Sequence, residues 1–195
     1  MTLLLASASP RRAEILHTIG ARFEICPADI DERVSAALTP ARAVCEISRR
    51  KAEHVLSRRG ADDVLILAAD TVVAVGNEIL GKPQNAADAA RMLHLLSGSS
   101  HAVYTGYTLA DCQKIHTAYQ KTEVTFRSLS EQEIGAYIQS GEPMDKAGAY
   151  GIQEKGAVFV TGIRGDYFNV MGLPICAVCT DAKALFGVRL AHFLP

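Results

Sequence analysis

One apolar run, Val64 to Val75, is rich in β-branched residues and carries a single charge, Asp70. The pattern predicts a buried strand. An unpaired buried charge costs on the order of several kcal/mol, so Asp70 must meet a cation, a bound metal or the open end of a cleft unless it merely caps a turn at the strand end. Upstream, Leu3 to Ala6 reads as a strand. Pro10 opens a helix with Ile15, Leu16 and Ile19 on one face and Gly20 at its end, and Phe23 to Cys26 returns as a strand. Thr39 and Pro40 form an N-cap and first turn for a helix to about Arg58, with Val44, Ile47, Lys51 and Val55 on one stripe. A lysine on that stripe either snorkels to solvent or reaches into a site.

Beyond Asp70, Gly76 and Asn77 predict a hairpin turn and Gly81-Lys82-Pro83 a loop. A helix follows from about Asn85 to Leu96, with Gly98 past its end. Two long strands, about His101 to Ala110 and Ile115 to Phe126, flank a polar turn. Ser130-Glu131-Gln132-Glu133 has the capping-box pattern and opens a helix that stops near Gly141. Strand patterning resumes from Val158 to Ile163, and a last helix follows Gly172-Leu173-Pro174. Strands alternating with helices, with long hairpins among them, predict an α/β fold: a mixed elongated sheet with flanking helices, in two lobes around a cleft.

With 195 residues, 49% hydrophobic and 21% charged, the chain is expected to form a single domain, residues 1–195, with a substantial core. A net charge of -1 argues against broad nucleic-acid or membrane-surface binding, so an anion site must be local. The N-terminal apolar stretch is too short for a signal peptide, and nowhere do about 18 apolar residues run together, which predicts a cytoplasmic protein with no membrane span. Cys176 and Cys179 lie on the last helix and are expected to pack in the core. The six histidines have no ligand spacing and read as structural or solvated.

Ser7-Ala8-Ser9-Pro10-Arg11-Arg12 joins a strand to a helix, gathering hydroxyls and two guanidiniums at a positive helix terminus. Phosphate fits such a cradle, though a capped helix with solvated arginines would look the same. The segment Glu142 to Gln153 combines glycines, Lys146 and a glutamine amide, chemistry suited to a phosphate and a base edge, or to a plain turn-rich connection. Asp29, Asp31 and Glu32 form an acidic cluster that either joins Asp70 around a hard divalent cation or is a solvated loop.

The segments Leu5 to Arg12, Ala69-Asp70-Thr71, Gly81-Lys82-Pro83, Gly141-Glu142-Pro143, Asp145 to Gln153 and Gly172-Leu173-Pro174 together resemble the motif series of the Maf family, in that family's order and over nearly the whole chain. The resemblance implies the fold shared with inosine triphosphate pyrophosphatases, the Maf/Ham1 fold. It implies a hydrolase of nucleotide metabolism that cleaves nucleoside triphosphates to monophosphate and pyrophosphate with Mg²⁺ or Mn²⁺, in a house-cleaning or nucleotide-pool role. Because the family is also named for septum formation, a nucleotide-binding regulator of cell division is the rival reading. Homodimers are common in such folds, so the resemblance raises a homodimer as well. By position, Ser7, Arg11, Arg12, Lys51, Lys82 and Gln153 resemble the family's substrate contacts, and Glu32 and Asp70 its metal and catalytic carboxylates. Arg11, Thr71 and Gln153 resemble the subgroup that prefers dTTP and UTP, whereas relatives acting on 7-methyl-GTP have Trp and Gln at the first two places. Arg50 stands where many relatives have Glu, and Glu154 where Gly often follows the Gly-Ile-Gln motif. On this reading Asp70 is a general base, a metal ligand, or both.

Overall fold

Leu4 and Ala6 at the first strand, with Ile66 and Ala68 on the strand beside it, form one buried layer with Ala52, Val55 and Ala110. That layer belongs to the first of two compact units in a computed structural model of the chain, which describes residues 1–35, 37–59, 63–76 and 78–191. The elements follow in the order β1 (Thr2–Leu5), α1 (Pro10–Thr18), β2 (Phe23–Ile25), α2 (Pro40–Arg59), β3 (Val64–Val75), β4 (Glu78–Leu80), α3 (Ala86–Leu96), β5 (Ser100–Ala110), β6 (Ile115–Phe126), α4 (Glu131–Gln139), β7 (Val160–Arg164), α5 (Tyr167–Met171) and α6 (Ile175–Phe186). The strand order is β2-β1-β3-β5-β6-β7, with β4 paired to β3. β1 runs parallel to both β2 and β3, with Leu5 opposite Ile25 and Leu67. β3–β4 and β6–β7 are antiparallel. This is the mixed α/β sheet with flanking helices that the pattern predicts.

The first unit holds residues Met1–Asp70, Thr105–Gln120 and those from Gly172 onward. Alternation along β1 and β3 sends Leu4 and Ile66 to the layer that carries Ala52 and Val55 of α2, while Leu5, Leu65 and Leu67 are buried on the opposite face. Burying an aliphatic side chain of this size is worth about 1.5–3 kcal/mol, so the α2 stripe of Val44, Ile47 and Val55 is a substantial part of the unit's stability. Close approach of α2 depends on Gly106 in β5. A Cβ there would stand 2.5 Å from the carbonyl carbon and oxygen of Val44.

The second unit, Thr71–Tyr104 and Lys121–Met171, has an aromatic core. Phe126 packs edge-on against His101 and Tyr150, and Phe159 meets Phe126 and Tyr137. Asn85 caps α3 by accepting from the Asp88 amide at 2.9 Å, and Ser130 and Glu133 close a capping box on α4.

Three differences from the sequence reading have local causes. The strand expected from Val158 begins at Val160, because Lys155–Phe159 winds as a 3-10 turn. Further 3-10 turns occupy Glu142–Asp145 and Ala147–Ala149, where glycine and proline interrupt the pattern. On α6 the buried residues are Ile175, Val178 and Ala182, so Cys176, one position round from Ile175, is exposed and Cys179 is half-buried, and both are free. Asn77 of the hairpin turn and His192 lie outside the described residues. Among the described residues no helix is long and apolar enough to cross a membrane.

Candidate active site

Helical periodicity puts Lys51 of α2 on the stripe with Val44, Ile47 and Val55, turned toward the sheet. Its ammonium does not snorkel: the residue is 7% exposed, and Nζ lies 2.9 Å from Asp70 Oδ1 and 2.9 Å from Glu32 Oε1. Asp70 is therefore no turn cap. It is an interior residue of β3, 8% exposed, and the cation that its burial demands is Lys51. Glu32 reaches the same ammonium from a more open position, with its side chain 57% exposed. The loop that carries Glu32 is tied to α2, since Arg50 Nη2 donates to the Arg33 carbonyl at 3.2 Å.

α1 brings a second set of groups to the same unit. Pro10 occupies its first turn, and Ser9, at the N-cap, makes no side-chain capping bond. Arg12 is buried, donating from Nη1 to Ser7 Oγ at 2.9 Å and from Nε to the Gly172 carbonyl at 2.8 Å. Burial lowers its pKa, the carboxylates of Asp70 and Glu32 oppose that shift, and neighbouring Arg11 adds to it. Arginine stays charged under such perturbation. Ser7, Arg11, Arg12, Glu32, Lys51 and Asp70 thus share one electrostatic neighbourhood in the first unit, with three cations against two carboxylates. Such a neighbourhood is suited to a polyanion.

In the second unit, Thr71 follows Asp70 along β3 and is half-buried, Lys82 is exposed just past β4, and Gln153 is half-buried in the loop between Tyr150 and Lys155. Lys146 differs from the expectation of a phosphate-holding lysine. Its ammonium is buried and lies 2.8 Å from the Glu142 carbonyl, 2.9 Å from Asp145 Oδ1 and 3.5 Å from Glu154 Oε1. Asp31 is likewise taken up locally, by the Arg33 guanidinium at 2.7 Å, and that hydrogen bonding holds its carboxyl below the usual range.

Among the described residues no group of three or more His, Cys, Asp or Glu side chains is placed to hold a metal ion. Asp70 and Glu32 nevertheless fit a hard divalent cation. They are two oxygen donors converging on one ammonium, and Mg²⁺ is commonly bound through one or two carboxylates plus substrate phosphates and water. Sequence reasoning missed the anchoring of Arg12 by the Gly172 carbonyl, 160 residues away. Gly172-Leu173-Pro174 was legible as a motif, but nothing local indicates its partner.

The Maf-like protein family matches residues 2–185. A curated relative from Agathobacter rectalis, named dTTP/UTP pyrophosphatase, is 47% identical over 94% of this chain and 97% of its own. Another of that name, from Bacillus thuringiensis subsp. konkukian, is 45% identical over 97% of this chain and 98% of its own. The solved structure of the Staphylococcus aureus Ham1 protein aligns with a TM-score of 0.46 at 11% identity, over 65% of this chain and 72% of that one. With the family matched over nearly its entire length, and relatives this similar along the whole of it, the chain belongs to the Maf-like protein family.

Proposed function

We infer that the protein hydrolyses nucleoside triphosphates to the monophosphate and pyrophosphate, with dTTP and UTP preferred. The observation that carries this reading is the buried Lys51 ammonium, 2.9 Å from both Asp70 and Glu32, in a chain whose relatives above bear the name dTTP/UTP pyrophosphatase. Arg11, Arg12 and Lys51 neutralise the triphosphate and orient it, with Ser7 fixing the Arg12 guanidinium and Lys82 adding a further phosphate contact. Water attacks the α phosphorus, the bond to the bridging oxygen breaks, and pyrophosphate leaves. Asp70 takes a proton from that water. Such a reaction needs positioning and charge stabilisation more than a nucleophilic side chain.

Asp70 and Glu32 are the residues that would hold Mg²⁺ or Mn²⁺, which when bound supplies charge neutralisation at the α and β phosphates. The Gln153 amide, offering an N–H donor and its carbonyl acceptor side by side, pairs with the O4 and N3–H edge of uracil or thymine, and Thr71 belongs to the same set. A cytoplasmic, homodimeric nucleotide-pool enzyme completes the proposal.

The test is pyrophosphate and monophosphate release from dTTP, UTP, dCTP and 7-methyl-GTP, each with Mg²⁺, with Mn²⁺ and with chelator. Release from dTTP and UTP ahead of the others, abolished by chelator, is expected. No pyrophosphate from any nucleotide overturns the enzyme reading in favour of a regulatory binder, and preference for 7-methyl-GTP overturns the base assignment.

A further inference from the structure

The loop that carries Gln153 is closed at both ends on one buried carboxylate. At its start, the Gly151 amide donates to the Tyr137 hydroxyl at 3.1 Å, and that hydroxyl donates to Glu142 Oε1 at 2.8 Å. At its end, the Lys155 amide donates to Glu142 Oε2 and the Gly156 amide to Glu142 Oε1, each at 3.1 Å. Glu142 is buried, and so are Gly151, Ile152 and Gly156, while Gln153 and Glu154 emerge between them. Burial raises the pKa of the Tyr137 phenol, which keeps it a donor to the carboxylate.

The loop is wound tightly around this cluster. A Cβ on Gly156 would stand 2.6 Å from the Gly151 carbonyl oxygen and 2.7 Å from the Tyr137 hydroxyl. One on Gly151 would stand 2.7 Å from Lys146 Cε. The Lys146 ammonium in turn ties the Glu142 carbonyl to Asp145 and Glu154. A buried carboxylate that accepts three hydrogen bonds is costly to remove, and here it spans both ends of the segment bearing the only amide side chain in that loop.

We propose that Glu142, acting with Tyr137, is the positioning residue for base selection: it fixes the backbone on either side of Gln153 and so aims the amide that reads the base. The proposal rests on the role given to Gln153 above. Glu142 touches no part of the substrate in this scheme, and its effect passes wholly through the loop it closes.

Tyr137→Phe removes one hydroxyl and keeps the ring that packs edge-on against Phe159. Glu142→Gln places an amide donor against the Lys155 or the Gly156 amide. The readout is the ratio of kcat/KM for dTTP over dCTP, beside kcat, KM and melting temperature. Both variants should narrow the ratio by about 3- to 10-fold, mostly through a raised KM for dTTP, as expected for loss of one or two hydrogen bonds. Gln153→Ala, measured alongside, should narrow it at least as much.

If Gln153→Ala narrows the ratio while Tyr137→Phe and a folded Glu142→Gln discriminate like the parent, even with lowered melting temperatures, Glu142 is only structural and the proposal fails alone. A shift in Tyr137→Phe without one in a folded Glu142→Gln removes Glu142 from the role. Should Glu142→Gln not fold, Tyr137→Phe decides. A Gln153→Ala enzyme that discriminates like the parent overturns the base reading and the proposal together.

Discussion

The Lys51 ammonium and the Asp70 carboxylate, 19 residues apart in the chain, meet at 2.9 Å with side chains only 9% and 11% exposed. Each is the reason the other can be buried. Desolvating either alone is costly, and the pair joins α2 to β3 at the point where the apolar stripe of the helix would otherwise continue with another aliphatic residue. Glu32 adds a second carboxylate to the same ammonium, so the three side chains together carry an excess of negative charge.

Removing one member of this pair should separate stability from chemistry. Lys51→Met leaves Asp70 without its buried cation and is expected to cost about 3–5 kcal/mol in urea unfolding. Asp70→Asn keeps the shape, and should lower turnover by roughly 100-fold or more while largely preserving nucleotide binding. In the double variant part of that loss should be recovered, since the buried Asp70 charge is gone while Arg12 loses an opposing carboxylate, but activity should not recover. A double variant as unstable as Lys51→Met would show that the two charges are not coupled.

Much of this fold is written in short-range pattern. β3 and β6 have the bounds that their apolar and β-branched runs predict, and Ser130 with Glu133 marks the start of α4 by local hydrogen bonding alone. The candidate site is legible to the extent that chemistry is carried by a conspicuous residue in an unlikely place, as with Asp70 in a strand and Lys51 on an apolar stripe. What is not legible depends on partners remote in sequence or on a choice between near-equal local options. Lys146 and Arg12 are both basic residues in motif-like segments, yet one is bound into its own turn and the other to a carbonyl far along the chain. Cys176 shows the angular resolution of helical pattern, where one position of offset moves a side chain from core to solvent.

His101 should make stability fall in mild acid. It is buried among Phe126 and Tyr150, with Nε2 2.8 Å from the Tyr150 hydroxyl, and burial lowers its pKa from 6.5 to about 4. The unfolded chain therefore takes up a proton as pH drops through 6.5, whereas the folded chain stays neutral at this position until pH nears about 4. The resulting contribution is complete above 6.5 and is lost toward about 4. His94 works the other way, because Glu131 raises its pKa and favours the folded state as pH falls, but that ring is exposed. Unfolding measured between about pH 7.5 and about pH 5 should show the parent losing about 2 kcal/mol more than His101→Gln. Parallel profiles for the two proteins would exclude His101 as the source.

Two glycines with no left-handed backbone requirement should respond to alanine in opposite senses. At Gly106 the new Cβ would fall 2.5 Å from the Val44 carbonyl and 2.8 Å from the Cys45 amide nitrogen, and both obstacles are backbone. No rotamer change relieves such a clash, so α2 must lift from β5, and Gly106→Ala is expected to cost about 1–3 kcal/mol. Lys51 lies on that helix, so the lift should also loosen its contact with Asp70, and specific activity of the folded fraction should fall with stability. Gly135, inside α4, has nothing within 4 Å of its added Cβ. There alanine removes unfolded-state entropy without a steric penalty, and Gly135→Ala should gain about 0.4–1 kcal/mol. Urea unfolding of both variants beside the parent checks the pair. A Gly106→Ala protein as stable and active as the parent would mean that the seat of α2 on β5 is not what holds Lys51 in place.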